Sequence, residues 1–145
     1  VAKVYSTKVG AGPFPTEYFG EEAEALRALG NEYGAVTGRP RRVGALDLPA
    51  LRYAKKRSGL THLIITKFDI LNDSGHVKVC HKYRNEPVSG GDFFDAQPEY
   101  EMVQGWKDAA DPSQIRDFIE YVEEQTGLPV EYVSCGVGPE DMIRV

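Results

Sequence analysis

The 145-residue sequence predicts an α/β fold forming one unit over residues 1–145. Stretches with apolar residues at helical spacing alternate with short apolar or alternating runs of strand character, and no segment repeats. One run, Leu63-Ile64-Ile65, is continuously apolar with β-branched members, as expected of a strand covered on both faces in a parallel sheet. Hydrophobic residues make up 41% of the chain and charged residues 27%, enough for a packed core.

"AKVYSTKVG" (2–10) alternates small or apolar with polar residues and predicts a strand, followed by a shaped loop in "GAGPFPTE", where glycines and prolines exclude a regular element. "EEAEALRALG" predicts a short helix burying Ala23, Leu26 and Leu29, with acids in its first turn and Gly30 as its stop. "LPALRYAKKRSG" repeats the pattern with Leu48, Leu51 and Ala54, ending at Gly59. "THLIITKFD" predicts the buried strand, its polar tip at the carboxyl end. "HVKVCHKYR" predicts a half-exposed strand after the turn "NDSG", with Val77 and Val79 on one face and Lys78 and Cys80 on the other. Residues 84–107 predict an irregular excursion with short edge strands. Asp111, Pro112 and Gln114 mark the start of the clearest helix, with Gln114 placed to close a capping box. Its stripe is Ile115, Phe118, Ile119 and Val122, and Gly127 ends it. A final strand in "PVEYVSCGVGP" runs into a Ser-Cys-Gly turn.

The net charge of -5 and a pI near 5.2 argue against sequence-independent binding of nucleic acid, which needs a field of Lys and Arg. No window has the apolar length of a membrane span and no secretory leader is evident, so a cytoplasmic location is expected. Two cysteines, Cys80 and Cys135, are too few for a disulfide framework. The first residue is Val1 and the only methionines are Met102 and Met142, so the chain is expected to begin inside a longer protein.

Two constellations carry chemistry. "TKFD", Thr66 to Asp69, ends the buried strand where open α/β sheets place ligands. A carboxylate there can accept from N1–H and N2–H of guanine while the stem of Lys67 lies over the base. The [N/T]-K-x-D pattern of GTP-binding proteins does this, and Ser134, Cys135 and Gly136 supply the small-residue turn that accompanies it; a solvated strand end is the competing reading. No phosphate loop of the G-x-x-x-x-G-K-[ST] type is present. In "TGRPRR" (37–42), three arginines fall in four positions. Extended geometry imposed by Pro40 aligns Arg39 and Arg41, two forks suited to a dicarboxylate or a phosphate, while Gly38 and Thr37 add backbone freedom and a hydroxyl. A basic turn paired with surface acids is the alternative. His76, Cys80 and His81 lack zinc geometry, so no metal site is expected. Trp106 is expected to be a core or edge anchor, and the Asn72-Asp73-Ser74 sequon is expected to be idle.

Taken in order, "VYSTKVGAGPFPTE", "GNEYGAVTGRPRRVGALDL", "TKFDILND", "VKVCHKYR", "IRDFIEYVEEQTGLPV" and "VSCGVGP" resemble the C-terminal portion of adenylosuccinate synthetase across essentially the whole chain. The resemblance implies the C-terminal part of a P-loop-NTPase-like fold, with a mixed, mostly parallel sheet and flanking helices. It implies GTP-dependent ligation of IMP and L-aspartate, the committed step of AMP synthesis, in a homodimer. IMP would be contacted by Val9 and Arg39. Aspartate would be held by the mobile loop Ala35, Val36, Thr37, Gly38, Arg39, Pro40 and Arg41, and GTP by Arg41, Lys67, Phe68, Asp69, Ser134, Cys135 and Gly136. Relatives have Gly-Pro directly after the serine turn, so Gly138 and Pro139 are alternative equivalents. Pro40 and Val36 stand where many relatives carry Arg and Thr. The family's catalytic residues, phosphate loop and Mg²⁺ ligands lie in its N-terminal portion, so this chain alone is expected to be inactive. A related synthetase acting on another purine nucleotide, or a freestanding nucleotide-binding module, are the alternatives.

Overall fold

A computed structural model describes residues 1–85 and 93–145, and its element order alternates strands and helices as the sequence predicts. Among the described residues, nine strands form three small sheets. β1 (Ala2–Lys3), β5 (Leu63–Thr66), β8 (Val130–Ser134) and β9 (Met142–Arg144) form a four-stranded sheet in the order β1-β5-β8-β9; the first two pairings are parallel and the last antiparallel. β2 (Ser6–Lys8) and β3 (Arg42–Gly44) form an antiparallel pair. β4 (Leu46–Asp47) runs parallel to β6 (His76–Tyr83), which pairs antiparallel with β7 (Pro98–Gln104).

Three helices flank the sheets among the described residues; the ends of the second and third follow their sequence signals, while the first runs through the expected stop Gly30. α1 (Gly20–Gly30) has Glu21 and Glu22 in its first turn and ends at Asn31 in the left-handed region. α2 (Leu48–Ser58) starts at Asp47, whose side chain accepts from Ala50 N, and ends at Gly59 with φ 64°. α3 (Pro112–Thr126) starts at Asp111, which accepts from Ser113 N, and ends at Gly127 with φ 61°. Ile115, Phe118 and Val122 of α3 meet Ile65, Phe68 and Val133 in a common core. Each such side chain contributes about 1.5 to 3 kcal/mol through removal from water.

The structure departs from expectation at six places. The stretch 2–10 is two strands in different sheets rather than one, because the chain leaves the first sheet at the buried pair Val4-Tyr5. Leu29 is 65% exposed; Gly30 instead takes the inward position, against the Tyr5 hydroxyl. Cys80 is buried rather than sharing an exposed face with Lys78, since a bulge between Cys80 and Lys82 shifts the register. The segment after Tyr83 contains the regular seven-residue strand β7; the part of that expectation falling on 86–92 lies outside the described residues. Gln114 accepts from Lys107 N and Asp108 N instead of closing a capping box, because the Asp111 N–H is already bonded to Asp108 O. After β8 the chain turns back as β9, a strand that the sequence reading lacks. Trp106 is a core anchor, 3% exposed, with Nε1 donating to Phe68 O at 3.0 Å.

Candidate functional site

Parallel pairing of β5 with β8 sets the first half of the site. It puts the ends of both strands at the same edge, so Lys67-Phe68-Asp69 and Ser134-Cys135-Gly136 emerge side by side. Lys67 turns the chain there with φ 70°, a left-handed conformation uncommon for a residue with a side chain. A 3₁₀ turn, Phe68–Leu71, follows. The Phe68 ring is fully buried against Trp106 and Phe118, with ring centroids 4.9 and 5.9 Å away, so its side chain is a core anchor beneath the turn. Asp69 Oδ1 is buried and has no hydrogen-bond partner among the described residues. Leaving such an oxygen unpaired costs about 1 to 3 kcal/mol, which marks it as a group awaiting a donor.

The neighbouring turn is closed from below. Ser134 Oγ donates to Gly136 O at 2.8 Å, Cys135 N donates to Asp141 O at 3.0 Å, and Gly138 N donates to Asp141 Oδ2 at 2.8 Å. Pro139 opens the short 3₁₀ turn to Asp141. Asp141, which carries no expectation from sequence, thus pins the whole Ser134–Pro139 turn. Cys135 and Cys80 are both free thiols.

The basic loop is the second half. Tyr33 and Pro40 form an antiparallel bridge, flanked by Gly34 N to Arg39 O and Arg41 N to Glu32 O, both 2.9 Å. Pro40 therefore sits at a pair position that asks no N–H of it, which is where an antiparallel ladder tolerates proline. Gly38, at φ 64°, donates to Gly34 O, and Thr37 Oγ1 accepts from Arg39 N at 3.4 Å. Ala35 to Pro40 are all exposed.

The three arginines have three different fates. Arg39 is exposed and makes no ion pair among the described residues. Arg41 turns inward, Nη1 donating to Glu32 Oε2 at 2.8 Å. Arg42 grips the loop after β2, with Nε and Nη2 forking onto Glu17 at 2.8 and 2.6 Å and Nη1 on the carbonyls of Gly10 and Gly12. That loop presents Val9, 73% exposed. The expected parallel pair of forks is thus one free fork and one held by an acid.

The acid is Glu32, 1% exposed, whose Oε1 accepts from Lys3 Nζ and Tyr5 OH, both at 2.6 Å. Burial alone would raise its carboxyl, but the hydrogen bonds from Lys3, Tyr5 and Arg41 outweigh that and hold it below the ordinary value. Burial and the adjoining carboxylate push the Tyr5 hydroxyl upward, and the charge of Asp69 adds to the same shift. Lys67 Nζ donates to Gly30 O at 3.1 Å, two residues before Glu32. The strand-end segment and the root of the basic loop therefore meet in one polar cluster.

A match to the adenylosuccinate synthetase family model spans residues 1–143. The chain belongs to the adenylosuccinate synthetase family. It is 55% identical to the adenylosuccinate synthetase of Petrotoga mobilis over 98% of this chain, and 49% identical to that of Thermotoga maritima over 100%. These matches cover 35% and 37% of the two relatives, so the chain spans little more than a third of their length. The fold matches a fully ligated adenylosuccinate synthetase from Plasmodium falciparum with a TM-score of 0.87 and 30% identity, over 100% of this chain and 39% of that one. The mixed, mostly parallel four-stranded sheet with flanking helices is that family's architecture in this region.

Within this adenylosuccinate synthetase framework, Glu32, Lys3, Tyr5 and Asp141 are the residues sequence reasoning passed over. Glu32 carried a faint signal: a carboxylate just past the C-terminus of α1 faces the negative end of the helix dipole and needs cations to stay there. Among the described residues, no group of three or more His, Cys, Asp or Glu side chains could hold a metal ion, and no helix is long and apolar enough to cross a membrane. His76, Cys80 and His81 do not converge; His81 instead lies 3.5 Å from Glu101.

Proposed function

We propose that this chain is the C-terminal part of a GTP-dependent ligase that joins IMP to L-aspartate, and that it supplies the guanine-reading strand ends and the dicarboxylate loop. The observation that carries the reading is the buried, unpartnered Asp69 Oδ1 at the carboxyl end of β5. Guanine presents N1–H and N2–H as two parallel donors, and a carboxylate is their natural acceptor. Lys67 lies beside it, and the Ser134–Pro139 turn forms the floor beneath the base. Arg39 and Thr37 close on the aspartate carboxylates, and Arg41 lies between aspartate and the nucleotide phosphates. Val9, held outward by the loop that Arg42 grips, contacts the IMP ribose through its backbone, with Arg39 on the other side.

The phosphoryl step needs Mg²⁺, and the described residues here do not fit it; its ligands, like the catalytic groups, belong to the remainder of the enzyme. The chain alone is accordingly inactive, and the complete enzyme is a cytoplasmic homodimer. The test is Asp69→Asn in the full-length enzyme. Losing the acceptor pair raises KM for GTP about tenfold or more and erodes the preference for GTP over ITP, which lacks the N2 amino group, while KM for aspartate stays put. Undiminished discrimination between GTP and ITP would refute the role of Asp69.

A further inference from the structure

Among the described residues the most deeply buried charged side chain is Glu32, and the reaction as proposed gives it no part. Its side chain is 1% exposed, yet it receives three donors: Lys3 Nζ and Tyr5 OH on one oxygen, Arg41 Nη1 on the other. Its backbone carbonyl also receives Arg41 N at 2.9 Å. One residue therefore holds Arg41 by both main chain and side chain.

We propose that Glu32 is a positioning residue of the dicarboxylate loop, fixing the Arg41 guanidinium so that the loop tip closes onto a ligand already oriented at its root. The proposal rests on the reading of 35–41 as the aspartate loop. Its geometry supplies the reason. Arg41 spends one of its five N–H groups on Glu32, which leaves donors for an incoming anion. Two cations, Lys3 and Arg41, face one buried carboxylate, so the cluster keeps a formal surplus of one positive charge at the root of the loop. A buried carboxylate with hydrogen-bonded partners orders long flexible cations that would otherwise sample many rotamers. The Tyr5 hydroxyl completes the acceptor and faces Gly30, where an added Cβ would collide with it. That close approach fixes the end of α1 and hence the start of the loop.

Glu32→Gln tests this in the full-length enzyme, because the amide keeps the size of the carboxylate but cannot serve three donors. KM for aspartate is expected to rise about tenfold, with KM for IMP and GTP within about twofold and kcat little changed. In an Arg41→Ala background the same change is expected to add less than about twofold, since the group it positions is gone. Hydrogen exchange of the Gly34–Arg41 amides is expected to quicken about tenfold in Glu32→Gln while that of α3 is unchanged. An unchanged KM for aspartate with a lower melting temperature, or full additivity with Arg41→Ala, overturns the proposal. If Arg39→Ala and Arg41→Ala themselves leave aspartate kinetics untouched, the loop reading fails instead, and the exchange rates still decide whether Glu32 holds the loop.

Discussion

Arg39 and Arg41 occupy the same short loop but answer to different forces. Arg39 is exposed and without an ion pair among the described residues, so Arg39→Ala is expected to leave the stability within about 0.5 kcal/mol of the parent while weakening aspartate use. Arg41→Ala weakens aspartate use and also costs about 1 to 3 kcal/mol of stability, because Glu32 loses one of its donors while staying buried. Thermal melts alongside aspartate kinetics separate the two. Glu32 also sets a pH dependence. Its folded carboxyl titrates below the ordinary value of 4.5, so its contribution is complete above that pH and is lost as pH falls through the folded value. Melting temperatures measured down the acid limb should fall less steeply for Glu32→Gln than for the parent below about pH 4.5. Lys67 to Asp69 and the Ser134–Pro139 turn stand at one edge and reach the root of the basic loop through Lys67 and Gly30, yet the tethers were illegible. Lys-x-Asp and Thr-Gly-Arg are recognisable because the pattern itself is chemical. Glu32 is not, because what defines it is three partners contributed by β1, by the β1–β2 crossing and by the loop's own far end.

The helices were read almost to the residue, since Asp47, Asp111, Gly59 and Gly127 are local signals that act through local backbone groups. The strands were harder. β1 and β2 read as one run because alternation continues across Val4-Tyr5 while the hydrogen-bonding partner changes from β5 to β3. Nothing in composition announces a change of partner. The same holds for β9, whose three residues pair only because Asp141 turns the chain back onto β8. Packing between elements makes a direct prediction at Phe118, whose ring meets both Phe68 and Trp106. Phe118→Ala removes the support beneath the 3₁₀ turn carrying Asp69, so it should cost about 3 to 5 kcal/mol in denaturant titrations. Gly44 makes another. A Cβ there would run into the Thr16 carbonyl of the loop that Arg42 grips, and neither backbone can yield cheaply. Gly44→Ala should therefore destabilise by about 1 to 3 kcal/mol or more, with its loss of order concentrated at residues 9–17 in hydrogen exchange.

At the scale of the whole molecule, three small sheets share one core, and the chain passes between them at Val4-Tyr5 and at Ala45. Such an arrangement leaves the two thiols in unlike settings. Burial pushes Cys80 up to about 12 and Cys135 up to about 11. Under native conditions an aromatic disulfide reagent should modify half-buried Cys135 slowly and fully buried Cys80 only once denaturant opens the core. Equal and immediate reaction of both would contradict this packing. The Tyr33–Pro40 bridge has a further consequence, for how such a site can diverge. Because its hydrogen bonds are made by Gly34, Arg39, Glu32 and Arg41, and none by Pro40, the bridge seals off the exposed turn beyond it from the buried anchor below. That turn is an exchangeable cassette. In the loop proposed to hold aspartate, substitutions at Ala35, Val36 or Thr37 are expected to retune which small acid is admitted while the stem beneath keeps its shape, so evolution can explore them without first renegotiating the fold.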